Sequence, residues 1–380
     1  MTTRTEKYIE IPATAPGTSR IIKVVEYGDP QARPKVYLQA AIHADEVPGI
    51  LVLHYLQQLL DEADAQGKIE GHVVLVPMAN PLGTDQRIFG NMIGRYSFSD
   101  GVNFNRGHAE LADKVGDVIA DKLTDNAAAN TQLIRAALTA AAHELKANDE
   151  VAFLKRTLME HAIDADICLD LHCDSEAILH MYTLDQSWDK ASDLNAQLGC
   201  EAAFLADLSG GNPFDESIST PWIALAKRFA DFPIEEPPLA ATIEYRGQAD
   251  VYSELAIDDA QRLFAYLQRA NVISGEPGEL PEAKCEATPL AGVEHVRSPA
   301  AGVLVHHKQV GDQVTSGDVV ASLLDPYSPF GDGMQAITTQ VTGKVYSRTN
   351  VRMVGPGQVV FGVTGSEIIE RQLGETLLGD

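Results

Sequence analysis

The order of patterns near the start of the chain constrains its fold most. Residues 36–42 are apolar and read as a strand. Leu51, His54, Tyr55, Leu59 and Leu60 then recur at helical spacing. Residues 72–77 form a second short apolar run, ended by the turn signal Asn80-Pro81-Leu82-Gly83. Strand, helix, strand in that order is the mark of a parallel α/β sheet. Further strands are predicted over 21–25, 167–171, 178–182 and 239–245. Helical texture is predicted across the Ala-rich stretch 124–162, after Pro221, and over 259–271.

A chain of 380 residues is long for one hydrophobic core and comfortable for two domains. The texture changes at 272–289, which is rich in Gly, Pro and Glu, the composition of a linker. Beyond it, short strand-like runs at 293–296, 302–306, 313–314, 319–324, 337–341, 343–346 and 359–363 are punctuated by Gly and Asp, as in a small all-β module. The expected organisation is residues 1–275, a linker at 276–289, and a β-rich unit at 290–380.

The formal net charge of −25 argues against a nucleic-acid partner, which requires a basic face. It does not exclude an anionic small molecule, which needs only local cations. Residues 1–12 are polar without an apolar signal region, and no stretch approaches membrane-spanning length, so a cytoplasmic protein without a membrane partner is expected. Cys168, Cys173, Cys200 and Cys285 show no C-x-x-C spacing and read as reduced structural thiols, Cys173 included despite its place beside His172.

Chemistry concentrates at the strand ends. His43 and Glu46 lie where the run 36–42 passes into the helical segment, and ligands of open α/β sheets bind outside the carboxyl ends of the strands. His172 closes the run 167–171. Two imidazoles and a carboxylate are the ligand set of a catalytic zinc site, which keeps a fourth position open. Asp170 lies two residues before His172, on the same face of the same strand, where it could hold the ring. Glu244, near the end of 239–245, could serve as a general base. The irregular stretch 84–110 carries Arg87, Arg95 and Arg106, three cations that suggest an anion pocket in so acidic a chain. There is no Gly-x-Ser-x-Gly elbow, P-loop or dinucleotide fingerprint.

His43-Ala44-Asp45-Glu46, Asn80-Pro81, Asn103-Phe104-Asn105-Arg106, Asp170-Leu171-His172 and Glu244 stand in the order found in the succinylglutamate desuccinylase/aspartoacylase family, within the zinc carboxypeptidase superfamily. The resemblance spans roughly residues 20 to 270. It implies a zinc-carboxypeptidase-like mixed sheet flanked by helices, with one zinc ion (Zn2+) per subunit held by His43, Glu46 and His172. It also implies that Asn105 and Arg106 grip a substrate carboxylate and that Glu244 is general base and acid. An upstream arginine polarises the scissile carbonyl in that family; Arg95 and Arg87 both qualify here. The family motif Asp-Leu-Asn-Arg reads Asn103-Phe104-Asn105-Arg106 in this chain, and the helical segment before Asp170 is long for the family.

The tail, with 298–303, 310–314 and 317–320, resembles biotinyl/lipoyl-type β modules, yet the turn near 325–335 has no lysine to modify and Lys344 falls in the next strand-like run. A borrowed β scaffold that covers the site mouth or mediates assembly is expected, and the Ala-rich helices could form a subunit contact in a homo-oligomer. The expected activity is zinc-dependent amidohydrolysis of an N-acyl amino acid or related small carboxylated amide. A metallocarboxypeptidase acting on peptide C-termini and a non-catalytic binding or assembly protein are the alternatives.

Overall fold

A computed structural model describes residues 2–329 and 333–369. Among these, the main sheet contains β1 (Thr5–Ile11), β2 (Arg20–Tyr27), β3 (Lys35–Ala40), β4 (His72–Val76), β5 (Ile167–Asp174), β6 (His180–Leu184), β7 (Ala202–Ala206), β8 (Leu239–Gly247) and β9 (Ala287–Pro289). Their spatial order is β1-β2-β4-β3-β5-β8-β6-β7-β9. The centre, β4-β3-β5-β8, is parallel, as the strand, helix, strand order requires, and antiparallel pairings at β2–β4 and β8–β6 make the sheet mixed.

Side chains alternate across this sheet with a period of two. Val36, Leu38 and Ala40 of β3, with Leu169 and Leu171 of β5, pack beneath α1 (Pro48–Ala65), α5 (Trp188–Leu198) and α7 (Ser253–Arg269). Tyr37, Val74 and Cys168 face the opposite core, built with α2 (Ala112–Ile119), α3 (Ala127–His143), α4 (Glu150–Ala162) and α6 (Phe214–Arg228). The even-numbered residues of β5 and, as far as Glu244, of β8 look toward this second layer, and that parity decides which side chains reach the site.

Three local readings change. β5 runs on through Asp174, so His172 lies within the strand; pairing with β8 continues there, with His172 opposite Glu244. The helix predicted to open at Pro221 begins at Phe214, after Pro213 and with Asp215 and Glu216 in its first turn, and carries Pro221 inside it. The last residues of the predicted linker, Ala287–Pro289, add the edge strand β9 beside β7. The strand β1 escaped the pattern because its residues are largely exposed on an edge.

Residues 294–329 and 333–363 form two small antiparallel arrays around Leu304, Val320, Leu323, Val345, Phe361 and Val363. Lys344 sits in the strand Gly343–Arg348; of the turn 325–335, residues 330–332 lie outside the described residues. That strand pairs antiparallel with Glu176–Ala177, just beyond β5. Arg348 Nε lies 2.5 Å from Glu176 Oε2, Arg352 adds a contact at 3.2 Å, and the Ile178 N–H donates to the Tyr346 carbonyl. The tail is therefore fastened to the strand that carries His172. Among the described residues no helix is long and apolar enough to cross a membrane, and the four cysteines are unpaired.

His108, packed edge-on against Phe214 in the second core, has its pKa pushed down to about 3 by burial, with Lys155 and Arg106 adding repulsion. The folded chain then binds fewer protons than the unfolded chain below the ordinary histidine range. Stability from this group is complete above about pH 6.5 and is lost as pH falls toward 3. Between pH 7 and pH 5 the native protein should lose about 2 kcal/mol more than His108→Phe does. Urea unfolding at both pH values measures this; equal losses would show that His108 does not titrate on unfolding.

Candidate active site

The site is assembled at the ends of β3, β5 and β8. β3 stops at Ala40, and Ala41 takes a left-handed conformation at φ 58°, uncommon for a residue with a Cβ. This breaks the alternation and begins the turn that carries His43. Asn80 braces the turn: its Nδ2 donates to the Ile42 carbonyl at 2.7 Å and its Oδ1 accepts from the Gly83 N–H at 2.8 Å. Gly94 lies against the same turn and accepts from the Ala44 N–H at 3.0 Å. A Cβ on Gly94 would stand 2.7 Å from Ala44 Cβ and from the Asp45 nitrogen, so this approach requires glycine. The next residue, Arg95, is thereby delivered to the site.

His43 Nδ1 is 3.0 Å from Glu46 Oε1, and His172 Nδ1 is 2.7 Å from Glu46 Oε2. The three residues offer ligand atoms within 4.8 Å of one another, and all three are buried. Their outward nitrogens are occupied. His43 Nε2 donates to Asn103 Oδ1 at 2.8 Å, and His172 Nε2 forms an ion-pair contact with Asp170 Oδ2 at 3.1 Å, as the two-residue spacing predicts. Imidazoles that bind a metal are held this way, with the far N–H on a fixed acceptor. Arg95 Nη1 lies 3.2 Å from both His43 Nδ1 and Glu46 Oε1, so a cation already rests against the same donors. The donor set therefore fits a divalent ion. Burial pushes the Cys173 thiol up, and its sulfur takes no part in the trio.

The electrostatics favour ligation at His43 and Glu46, whereas His172 must give up a proton to bind a metal. Burial holds the His43 imidazole below its ordinary value, toward the neutral form that a ligand requires. Burial alone would raise Glu46, but His43 and His172 overcome it and keep this carboxylate ionised. Burial would likewise lower His172, but Asp170 and Glu46 hold it well above the usual range. Glu244, in register beside His172, is pushed up to about 8 by burial; His172 and Arg95 pull it down, while Glu46 and Asp174 raise it further. Its Oε2 is buried without a hydrogen-bond partner.

His43, Glu46, His172, Arg95, Asn105, Arg106 and Glu244 all line one cavity of about 1300 Å³. Arg87 does not: it is exposed on the two-residue strand Arg87–Ile88, at the base of a hairpin outside the lining. Of the two upstream arginines that the sequence leaves open, the fold brings only Arg95 to the trio. Asn105 is already committed, its Oδ1 accepting from the Phe214 N–H at 2.8 Å and its Nδ2 lying 3.3 Å from His172 Nε2. Arg106 Nη1 donates to the Asn105 carbonyl, and Lys155 from α4 donates to the Arg106 carbonyl at 2.5 Å. The long helical segment thus braces the loop that carries Asn105 and Arg106.

Sequence reasoning missed two contributors. Asn103 was visible only as a departure from the Asp-Leu-Asn-Arg pattern, yet its Oδ1 anchors His43 and also accepts from the Asn105 N–H. The far wall, including Arg297, Tyr346 and Arg348, comes from the tail, and no spacing in the sequence links these residues to His43. Asn103→Ala should weaken the affinity of the trio for a divalent ion about 10- to 100-fold, by loss of the fixed acceptor behind His43. Chelator competition measures it, and unchanged affinity would show that Asn103 does not orient His43.

A mixed α/β sheet with this site at its strand ends defines the class, a hydrolase of the deacylase type that acts on amide bonds. The chain belongs to the succinylglutamate desuccinylase/aspartoacylase family: residues 32–269 match the model of that family's catalytic domain. No curated protein matches the sequence. Crystal structures of two proteins named for this family share the fold. One, from Shewanella frigidimarina NCIMB 400, has a TM-score of 0.83 at 24% identity and covers 96% of this chain and 98% of its own. The other, from Shewanella amazonensis SB2B, has a TM-score of 0.80 at 23% identity and covers 95% and 98%. The product-bound ectoine utilization protein EutE (DoeB) from Ruegeria pomeroyi has a TM-score of 0.68 at 16% identity and covers 96% of each chain.

Proposed function

We propose that this protein is a zinc-dependent amidohydrolase that cleaves an N-acyl amino acid or a related small carboxylated amide. The observation that carries the reading is the convergence of His43, Glu46 and His172 within 4.8 Å, in a cavity that also receives Glu244, Arg95 and Arg106. These three residues would hold the zinc, whose chemistry is Lewis acidity toward a carbonyl and toward water.

The chain's own residues do the rest. Glu244 accepts a proton from the attacking water and returns it to the nitrogen as the carbon–nitrogen bond breaks, giving a carboxylate and a free amine. Burial raises its proton affinity, which favours taking up the proton of the water once the carboxylate is ionised. Arg95 stabilises the negative charge that develops on the carbonyl oxygen. Arg106 presents a planar fork to the substrate carboxylate and so fixes the reacting bond. Asn105, with its Oδ1 already accepting from Phe214 at the start of α6, offers only its Nδ2 donor to the substrate. In this reading residues 1–275 carry the chemistry and the unit beyond residue 290 walls the cavity. The match of residues 32–269 to the family's catalytic domain supports a small N-acylated substrate over a polypeptide end.

Metal analysis of the purified protein, followed by N-succinyl, N-acetyl and N-formyl amino acids assayed for amine release, tests the proposal. About one zinc per chain and hydrolysis that chelation abolishes and zinc restores are expected. A metal-free protein fully active on any of these amides would refute it.

A further inference from the structure

The strand that delivers Glu244 does not end as a regular strand. In β8, Thr242 and Glu244 line the cavity, while Ile243 and Tyr245 pack in the core beneath α1, α5 and α7. A period of two would place Arg246 on the cavity face, beside Glu244. Arg246 instead has φ 63°, and the register against β5 shifts there, Glu244 facing His172 but Gly247 facing Asp174. Three residues of β8 thus span two of β5, which is a bulge. Gly247 makes the bulge possible, since a Cβ there would meet the Ser175 carbonyl oxygen at 2.9 Å and Glu176 Cα at 3.0 Å.

The turn sends the Arg246 guanidinium to the opposite side of the sheet. It reaches buried Asp259 on α7 with two nitrogens, Nη1 at 3.3 Å from Oδ1 and Nη2 against Oδ2, and it lies over the Tyr245 ring. Arg246 does not line the cavity, whereas Gln248, two residues on, does and donates to Asp45 Oδ2 at 2.9 Å. A guanidinium left beside Glu244 would form a charge-assisted pair with it and occupy the oxygens that must take up a proton.

We propose that Arg246 and Asp259 are positioning residues: their ion pair holds the left-handed turn at the end of β8, aims Glu244 into the cavity and keeps the Arg246 cation away from that carboxylate. The inference rests on Glu244 as the base. Asp259→Asn in the zinc-loaded protein should release Arg246, and a crystal structure of the variant should show its guanidinium within hydrogen-bond reach of Glu244. With the fastest substrate of the N-acyl amino acid panel, kcat should fall about a hundredfold while KM changes by less than about threefold.

Adding Arg246→Gly, which accepts the left-handed turn and removes the cation, should recover at least about tenfold of that loss. A merely structural pair predicts no such rescue. If Asp259→Asn does not fold, Arg246→Lys, which keeps the charge and loses the fork, should show the same kcat loss. An Asp259→Asn structure with Arg246 still turned away from Glu244, a double variant no faster than the single, or an Arg246→Lys enzyme with native kcat would each overturn the proposal. Glu244→Gln run in parallel separates the two ideas: if it stays active, the reading of Glu244 as base fails; if it is inactive while Asp259→Asn keeps native kcat, only the positioning role fails.

Discussion

Glu244→Gln is expected to keep its zinc and to lose about a thousandfold in kcat. The substitution preserves shape and leaves the three candidate ligands untouched, but an amide cannot take a proton from water or return one to a leaving amine. The Glu244 side chain is half-buried and lines the cavity, its Oε2 is buried without a hydrogen-bond partner, and burial pushes its pKa up to about 8. A base with ordinary carboxylate affinity would accept the proton poorly, and one already bound to a donor would not be free to accept it. Steady-state kinetics with metal analysis on the same preparation decides the matter. Hydrolysis within tenfold of the native rate would remove Glu244 from the role.

His172→Ala should have the second large effect, through the metal. The side chain supplies one of three donors and fills the space between Glu46 and Asp170. Losing an outer partner of a ligand typically costs 10- to 100-fold in affinity, so losing the ligand itself should exceed about a hundredfold and leave the protein without stoichiometric zinc after dialysis. Turnover should fall with the metal and return only in part when zinc is supplied in excess. Full zinc occupancy in this variant would show that the donor set lies elsewhere.

The parts of this molecule that were legible in its sequence are those governed by local periodicity. The β3–α1–β4 unit announces itself because apolar residues change from a strand to a helical pattern and back within 42 residues, 35–76. Asp170 behind His172 follows from the same rule, since two residues along a strand return a side chain to the same face. Glu244, expected near the end of 239–245, lines the cavity as strand parity allows, and Arg246 would have been misplaced by that parity, because a bulge leaves no trace in a hydrophobic pattern. The choice between Arg87 and Arg95 was illegible for a related reason. Both lie in a loop without periodicity, and what separates them is the contact of Gly94 with Ala44.

The tail shows the same division. Its short, punctuated strands mark it as β-rich, but its seat on Glu176–Ala177 depends on a two-residue strand that no pattern betrays. The sequence by itself determined the central strands and their flanking helices, the two compositional halves and the residue types able to bind a metal, because these depend on neighbours a few positions apart. Only the tertiary structure decided which arginine reaches the trio, that Asn103 supports His43, and that residues beyond 290 wall the cavity. Those are contacts between segments 50 to 300 residues apart, and they exist only once the backbone has closed.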